Sequence, residues 1–257
     1  MAATTGDNAF MVIDSYRKRT WRWNESEDGL EFSWAANLTG IGRGRAQWGA
    51  WSGDRFFLCS RAKCASYSPA LDVWQNIEFR ANFLFYAAGP SPPSGLVGGN
   101  AVSHDGSIYV FGGRIAGGDI ENYVRRLDVS GLRWTPMMGM NSPRAAARAA
   151  VMPGSASTDA DVVICGGFSW LVDMPEGEYS CERYSLKAES SSEFPSMNLR
   201  RFSHALVEWG GALYAIGGWN RLDFHDSIEM WKPSTNHWTL LDVKLPKGRV
   251  NFATVVY

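Results

Sequence analysis

The stretch Asp223-Phe224-His225-Asp226 carries residue types that could bind a metal, because carboxylates and imidazole are common ligands of divalent ions. It lies in a loop just after Gly218, where three polar residues are usually solvated. The segment GIGRGR at 40–45 resembles a phosphate loop but lacks the G-x-G-x-x-G spacing and a following Lys-Ser or Lys-Thr. There is no G-x-S-x-G nucleophile motif either. We predict a chain that is not an enzyme, with no cofactor and no metal, and leave metal binding at 223–226 open.

The composition narrows the class of partner. The 257 residues include 25 basic and 26 acidic side chains, so the basic surface expected of a nucleic-acid-binding protein is missing. The four cysteines show no C-x-x-C spacing, which argues against a zinc knuckle or a redox pair. A core rich in Trp, Val and Phe has no need of disulfides. We therefore expect neither nucleic acid nor a thiol-bound metal as a partner.

The N-terminal sequence MAATTGDNAF has no basic head and no apolar run, so it does not read as a signal peptide. No segment approaches the roughly 18 apolar residues of a membrane helix. These features predict an intracellular protein of the cytoplasm, with the nucleus as a second possibility, and no membrane partner.

A short apolar run that stops at two glycines occurs three times, as IYVFGG at 108–113, VVICGG at 162–167 and LYAIGG at 213–218. The runs are too short for helices and rich in β-forming residues, so each predicts a strand. From Gly112 to Gly166 is 54 residues and from Gly166 to Gly217 is 51. Periods near 50 are typical of propeller arrays in which each repeat is one small sheet.

A second marker follows the glycines at a fixed distance. Trp134 lies 21 residues after Gly113, and Trp238 lies 20 residues after Gly218. A large apolar or aromatic residue precedes each marker tryptophan by seven positions. These pairs are Tyr16 and Trp23, Tyr67 and Trp74, Leu127 and Trp134, and Trp231 and Trp238. In one repeat Tyr184 has no such tryptophan, because the expected place near Ser191 is vacant. We expect these residues to fill the space between neighbouring sheets.

A third marker, an arginine a few residues after Met or Leu, precedes each inner strand: Arg144, Arg201 and Arg249. The ordered combination of a Gly-Gly strand, an aromatic, a tryptophan and an arginine resembles the Kelch repeat over nearly the whole chain. Ser60-Arg61 replaces the glycine pair in one repeat. The resemblance implies an all-β propeller of four-stranded blades. Kelch-like propellers include a few enzymes.

The markers predict one domain over 1–257, with residues 1–9 flexible and about five blades. The chain ends on RVNFATVVY at 249–257, which reads as an inner strand, and begins with FMVID and TWRW, which read as the outer two strands of a blade. We therefore predict that the N- and C-terminal strands share one blade. Five is fewer than the six or seven blades that the resemblance leads one to expect.

In Kelch propellers that act as receptors, the working face is built by the loops after each Gly-Gly and by the segments around the arginine marker. Trp and Arg at such positions suit a binding hot spot, and arginines suit a carboxylate or phosphate group. Alternatively, these tryptophans pack over the rim of the propeller, and the marker arginines have structural roles. The predicted binding residues are Arg61, Arg114, Arg144, Phe168, Ser169, Trp170, Arg201, Ser203, Trp219, Asn220, Arg221, Arg249 and Asn251.

The resemblance implies a module that binds a protein or a short peptide. The arginines favour a peptide that is acidic or phosphorylated. The commonest roles of such modules are substrate recognition in a ubiquitin ligase and anchoring in a scaffold. Two alternatives stay open. One is a structural subunit of a larger assembly, and the other is a metal-assisted, small-molecule enzyme with a site at the propeller channel.

Overall fold

The structure is a computed structural model in which twelve stretches of the chain are described. They are 2–5, 9–14, 19–26, 29–34, 48–52, 54–59, 64–68, 70–77, 98–115, 118–152, 160–169 and 177–248. In these stretches the chain forms five four-stranded antiparallel sheets, each with its strands in chain order. The sheets are blades 1 to 5 of a β-propeller, which confirms the predicted fold class.

The first two blades come from the N-terminal part of the chain. Blade 1 contains β1 (Ala2–Thr5), β2 (Ala9–Asp14), β3 (Arg19–Ser26) and β4 (Gly29–Trp34). Blade 2 contains β5 (Trp48–Ser52), β6 (Arg55–Cys59), β7 (Cys64–Ser68) and β8 (Val73–Ile77).

The remaining blades carry the Gly-Gly repeats. Blade 3 contains β9 (Asn100–His104), β10 (Ser107–Arg114), β11 (Ile120–Asp128) and β12 (Arg133–Met137). Blade 4 contains β13 (Arg148–Met152), β14 (Asp161–Cys165), β15 (Cys181–Ser185) and β16 (Ser190–Phe194). Blade 5 contains β17 (Ala205–Trp209), β18 (Ala212–Ile216), β19 (Ser227–Lys232) and β20 (His237–Lys244).

The first strand of each blade lies beside the first strand of the next, from β1 through β5, β9 and β13 to β17. The first strands are therefore innermost, and the fourth strands lie at the outer edge. The described core is divided among the spaces between blades. One cluster joins blades 2 and 3, a second joins blades 3 and 4, and a third joins blades 4 and 5.

The N-terminal blade differs from the prediction of a blade shared by both ends of the chain. All four strands of blade 1 come from residues 2–34, so FMVID is its second strand and TWRW part of its third. The short segment Ala2–Thr5, made of small and β-branched residues, takes the inner place beside β5. The segment 249–257, which was expected to fill that place, lies outside the described residues.

The Gly-Gly pairs mark the points where one blade touches the next. Gly112 and Gly166 both have positive φ, 55° and 67°, a region that side chains disfavour. A Cβ at Gly112 would collide with the carbonyl oxygen of Arg144, and one at Gly166 with that of Arg201. The following glycines donate to the same oxygens, Gly113 N–H to Arg144 O at 2.7 Å and Gly167 N–H to Arg201 O at 2.9 Å. Bare backbone is thus required so that the segment leading into the next blade can bind there.

The seven-residue interval of the aromatic marker is a cross-strand pair. Leu127 lies directly opposite Trp134, and Trp231 directly opposite Trp238. The place opposite Tyr184 is occupied by Ser191, as the vacant position predicted. These pairs fix the register of the outer hairpin and put bulky side chains into the space between blades.

We expect Trp238→Ala to lower the free energy of unfolding by about 3–5 kcal/mol, measured by urea denaturation. Trp238 is buried in the cluster between blades 4 and 5, and its Nε1–H donates to the Pro195 carbonyl at 2.8 Å. The matched control is Trp209→Ala, since Trp209 is 62% exposed and should be replaceable at little cost. Equal losses in the two variants would contradict the assignment of Trp238 to the core.

Candidate functional site

The two sets of loops expected to form a binding face lie side by side. The segment before blade 4 pairs with the loop after Gly167 through Ala145 and Phe168, whose N–H groups each donate to the other's carbonyl at 2.9 Å. The segment before blade 5 pairs with the loop after Gly218 through Phe202 and Trp219 in the same way, at 2.9 and 3.0 Å. These bridges hold both sets of loops together at one end of the propeller, which we call the Gly-Gly end.

Four aromatic rings form a continuous row across this end, and we call them the aromatic row: Phe168, Phe202, Trp219 and Phe224. The ring centroids of Phe168 and Phe202 are 5.6 Å apart, and those of Phe202 and Trp219 are 5.0 Å apart. Trp219 and Phe224 stack at 5.6 Å with 16° between their planes. The first three rings are partly buried, whereas Phe224 is 59% exposed. The row therefore reaches from the packed rim of the blades into solvent.

The exposed end of the row is carried by the loop 219–225. The Asn220 side chain holds this loop, because its Oδ1 accepts the N–H groups of Leu222 at 3.0 Å and Asp223 at 2.8 Å. Arg221 lies between these contacts with φ of 80° and an exposed side chain. The turn places Arg221 and Leu222, which is 82% exposed, beside the aromatic row. Asn220 thus acts on the shape of the loop, while its neighbours form the surface.

Arg144 and Arg201, two of the predicted binding residues, lie inside the fold. The Arg144 Nε donates to Glu182 Oε1 at 2.8 Å, and its Nη1 donates to the Gly166 carbonyl at 3.0 Å. In blade 5, Arg201 Nε donates to Glu229 Oε1 at 3.0 Å, and its Nη1 donates to the carbonyl of Gly217. Burial lowers the pKa of Arg201, and the Glu229 charge opposes that shift. Each arginine therefore ties the segment entering a blade to the Gly-Gly turn of that blade.

The other predicted binding residues are spread over this end or fall outside the described residues. Arg114 ends β10 and is exposed. The hydroxyl of Ser169 donates to Glu178 Oε1 at 3.1 Å, and the N–H of Ser203 donates to the Ala146 carbonyl at 2.9 Å. The structure describes no position for the last four: Arg61, Trp170, Arg249 and Asn251.

The possible metal ligands at 223–226 do not come together around one point. His225 Nε2 contacts the Arg200 carbonyl at 3.1 Å, and an Asp226 oxygen lies 3.9 Å from Lys244 Nζ. Among the described residues, no group of three or more His, Cys, Asp or Glu side chains could hold a metal ion.

Several partners of the site were not found from the sequence. Glu182 and Glu229 are buried ion-pair partners, and each precedes the aromatic marker of its repeat by two residues, a signal that could have been read. Phe224 and Leu222 could not be recognised, because only the loop shape brings them to the row.

The structure also contains a disulfide, Cys165–Cys181, between residues directly opposite on β14 and β15. From the sequence we expected that a core rich in Trp, Val and Phe would need no disulfide.

Comparisons with known proteins agree with this architecture. The Kelch motif is recognised at residues 96–141 and 200–241. The spermatocyte protein spe-26 of Caenorhabditis elegans is 24% identical over 202 residues, which are 77% of this chain and 32% of that protein. The chain thus spans about a third of that curated relative. The solved structure of YjhT matches with a TM-score of 0.74 at 11% identity, covering 98% of this chain and 85% of YjhT. This last likeness shows the fold.

The likeness to YjhT corrects the prediction that this chain is not an enzyme. We had predicted a binding module alone because the repeat sequence contains no recognisable catalytic motif. A propeller is a framework on which loops build different sites, so sharing it with YjhT gives no support for excluding catalysis.

In the part of the chain that the structure describes, no helical segment has the length and hydropathy that crossing a membrane requires.

We expect Arg201→Met to lower the free energy of unfolding by about 3–5 kcal/mol, because it leaves the Glu229 carboxylate buried without its cation. Both side chains are fully buried, so solvent cannot replace the lost charge. Thermal or urea denaturation measures the effect. Arg221→Met is the matched control, since Arg221 is exposed, and it should change stability by less than about 0.5 kcal/mol. A stable Arg201→Met protein would mean that this arginine is free to serve a ligand.

Proposed function

We propose, from the premise that this chain is a Kelch-repeat β-propeller, that it binds another protein through the Gly-Gly end of blades 4 and 5. Kelch repeats generally mediate protein–protein interaction. The observation that carries the proposal is the aromatic row, which joins loops from two blades and ends in the exposed Phe224. Leu222 is exposed in the same loop. Rigid aromatic side chains with an exposed apolar edge are what binding hot spots use.

The row is better suited to an apolar side chain of a partner than to a flat, fully polar surface. Phe224 and Leu222 expose apolar area, while Phe202 and Trp219 behind them are held by backbone bonds at 2.9 and 3.0 Å. A support of this kind reduces the ordering cost on binding, because the rings are already in place. The partner would therefore contribute an apolar anchor that lies against Phe224.

Charge at the rim favours an acidic segment next to that anchor. Arg221 is exposed in the same loop, and Arg114 is exposed at the end of β10. Guanidinium groups at the edge of an interface steer and orient carboxylate or phosphate groups, with more effect on association rate than on final affinity. An acidic or phosphorylated peptide remains the partner that these residues favour.

The proposed role is that of an adaptor, either the substrate-recognition part of a ubiquitin ligase or an anchor in a scaffold. The match to spermatocyte protein spe-26 covers only 32% of that protein, so a propeller of this kind can be one part of a longer chain. In such an arrangement the propeller holds the bound protein, and other segments act on it or link it to a complex.

The Leu222→Ala/Phe224→Ala variant tests this proposal by proximity labelling against the unaltered chain. We expect specific partners to be lost, with an affinity decrease of about 2 kcal/mol or more, roughly thirtyfold, once a partner is purified. Both side chains are exposed, so the fold should be unaffected, and thermal melting checks this.

The control for this experiment is Trp209→Ala/Leu240→Ala. Trp209 is 62% exposed at the end of β17, away from the Gly-Gly end of blade 5, and Leu240 is 50% exposed on the outer strand. This pair removes similar apolar area away from the Gly-Gly end. An unchanged partner set in the first variant, or the same losses in the control, would place binding elsewhere on the propeller.

A further inference from the structure

Arg148 differs from the two marker arginines although it lies only four residues after one of them. Arg144 and Arg201 each have a buried glutamate within 3.0 Å, whereas the described residues place no carboxylate within ion-pair distance of Arg148. Its guanidinium makes one hydrogen bond, from Nη1 to the Ala147 carbonyl at 2.8 Å. The side chain is only partly exposed, and burial lowers its pKa to about 10. A cation in this position is held at a cost that no described anion offsets.

Arg148 faces blade 5. Side chains alternate along a strand, and Ala150 and Met152 of the same strand pack with Leu206 in the cluster between blades 4 and 5. Arg148 lies on that same side of β13, at its first residue. On the facing strand segment, His204 lies two residues before Leu206 and so points toward blade 4. The charge of Arg148 acts on the His204 ring, so the two side chains lie near each other at the inner end of the space between these blades.

His204 supplies buried polar atoms that are unsatisfied. It is fully buried, and neither Nδ1 nor Nε2 has a hydrogen-bond partner. The ring is confined by two Gly-Gly turns, because a Cβ at Gly166 would come within 2.9 Å of His204 Cε1 and one at Gly218 within 2.7 Å of its Cβ. Burial, followed by the charges of Arg148, Arg201 and His225, holds the pKa of His204 well below its usual range. A neutral imidazole buried this way still has an N–H to donate.

Blade 3 repeats the feature in weaker form. Asn100 occupies the strand position equivalent to Arg148, since Asn100 pairs with Phe111 and Arg148 with Cys165, each the last residue before a Gly-Gly. The Nδ2 of Asn100 is also buried without a partner. The Asn100 Nδ2 and the ring nitrogens of His204 are thus both buried and unpaired near the start of an inner strand. Buried polar groups in proteins are otherwise nearly always paired, so such groups indicate a missing acceptor.

We infer that the inner end of the space between blades 4 and 5 binds a carboxylate, held by the Arg148 guanidinium and the His204 imidazole. Arg148 supplies the charge and a planar pair of donors, the geometry that suits a carboxylate. A phosphate dianion would need a second free cation, but Arg201 is already paired with Glu229. The His225 ring is likewise engaged, at 3.1 Å from the Arg200 carbonyl.

The carboxylate can belong to a free small acid or to an Asp or Glu side chain of a bound protein. Phe202 of the aromatic row lies two residues before His204, and Phe168 lies two residues after Gly166, so the site lies near the same end of the blades as the proposed binding face. The inference goes beyond the proposed function and does not need it, because a free acid would occupy the site without any protein partner.

Titration of the purified full chain with acetate tests the site, with acetamide as the uncharged probe of the same shape. We expect acetate, and not acetamide, to raise the melting temperature and to bind in calorimetry. Arg148→Gln should weaken acetate binding by about tenfold or more, the worth of a charge-assisted hydrogen bond. Arg133→Gln, which removes an exposed arginine on the outer strand of blade 3, should leave acetate binding unchanged.

The stability of Arg148→Gln gives an independent readout. Because the variant removes a partly buried charge that has no counter-ion among the described residues, its melting temperature without acetate should equal or exceed that of the unaltered chain. A structural arginine would show the opposite sign. Absence of acetate binding, acetate binding unaffected by Arg148→Gln, or a marked loss of stability in that variant would each overturn the inference.

Repeating the proximity labelling with Arg148→Gln distinguishes an acidic side chain of a bound protein from a free small acid. Loss of the same proteins that Leu222→Ala/Phe224→Ala loses would assign the site to an acidic side chain of the partner. An unchanged set of proteins together with lost acetate binding would assign it to a free acid. Failure of the proposed protein-binding face would leave the acetate result intact, so the two proposals can fail separately.

Discussion

The contact on which the described blades depend is the approach of an arginine carbonyl to a pair of glycines. The oxygen of Arg144 accepts from Gly113, and that of Arg201 accepts from Gly167, so each oxygen lies against the glycine turn of the preceding blade. The side chains of the same arginines reach the opposite way, to a buried glutamate and to the next glycine turn. One residue thus connects two consecutive blades through its backbone and its side chain.

This arrangement explains why charged groups are buried at all. The Gly-Gly turn and the start of the third strand of a blade present backbone carbonyls toward the arginine, and a buried carbonyl must be paired. The guanidinium has enough donors to satisfy the glycine and serine carbonyls together, and the glutamate balances its charge while accepting backbone N–H groups such as that of Asn198. The pair is therefore part of a complete hydrogen-bond network, in which removal of one member leaves several groups unsatisfied.

Departures from the repeat mark the positions free for function. Where Arg144 and Arg201 have a glutamate, Arg148 has none, and the loop 219–225 adds Phe224 and Leu222 to a turn that the repeat does not require. The disulfide Cys165–Cys181 joins the two strand ends from which the loop with Phe168 emerges. The regular positions hold the blades in place, and the irregular ones give blades 4 and 5 a surface unlike that of blade 3.

The strands, the blade repeat and the core aromatics could be predicted from the residues alone, because these features depend on local periodicity and on the spacing across one hairpin. Trp134, Trp238 and the vacancy at Ser191 follow from that spacing. Only the tertiary structure decided the origin of blade 1, since an inner strand is chosen by what lies beside the axis and not by its own four residues. It also decided that Arg201 is buried while Arg221 is exposed. These outcomes depend on contacts between blades, which no spacing along the chain contains.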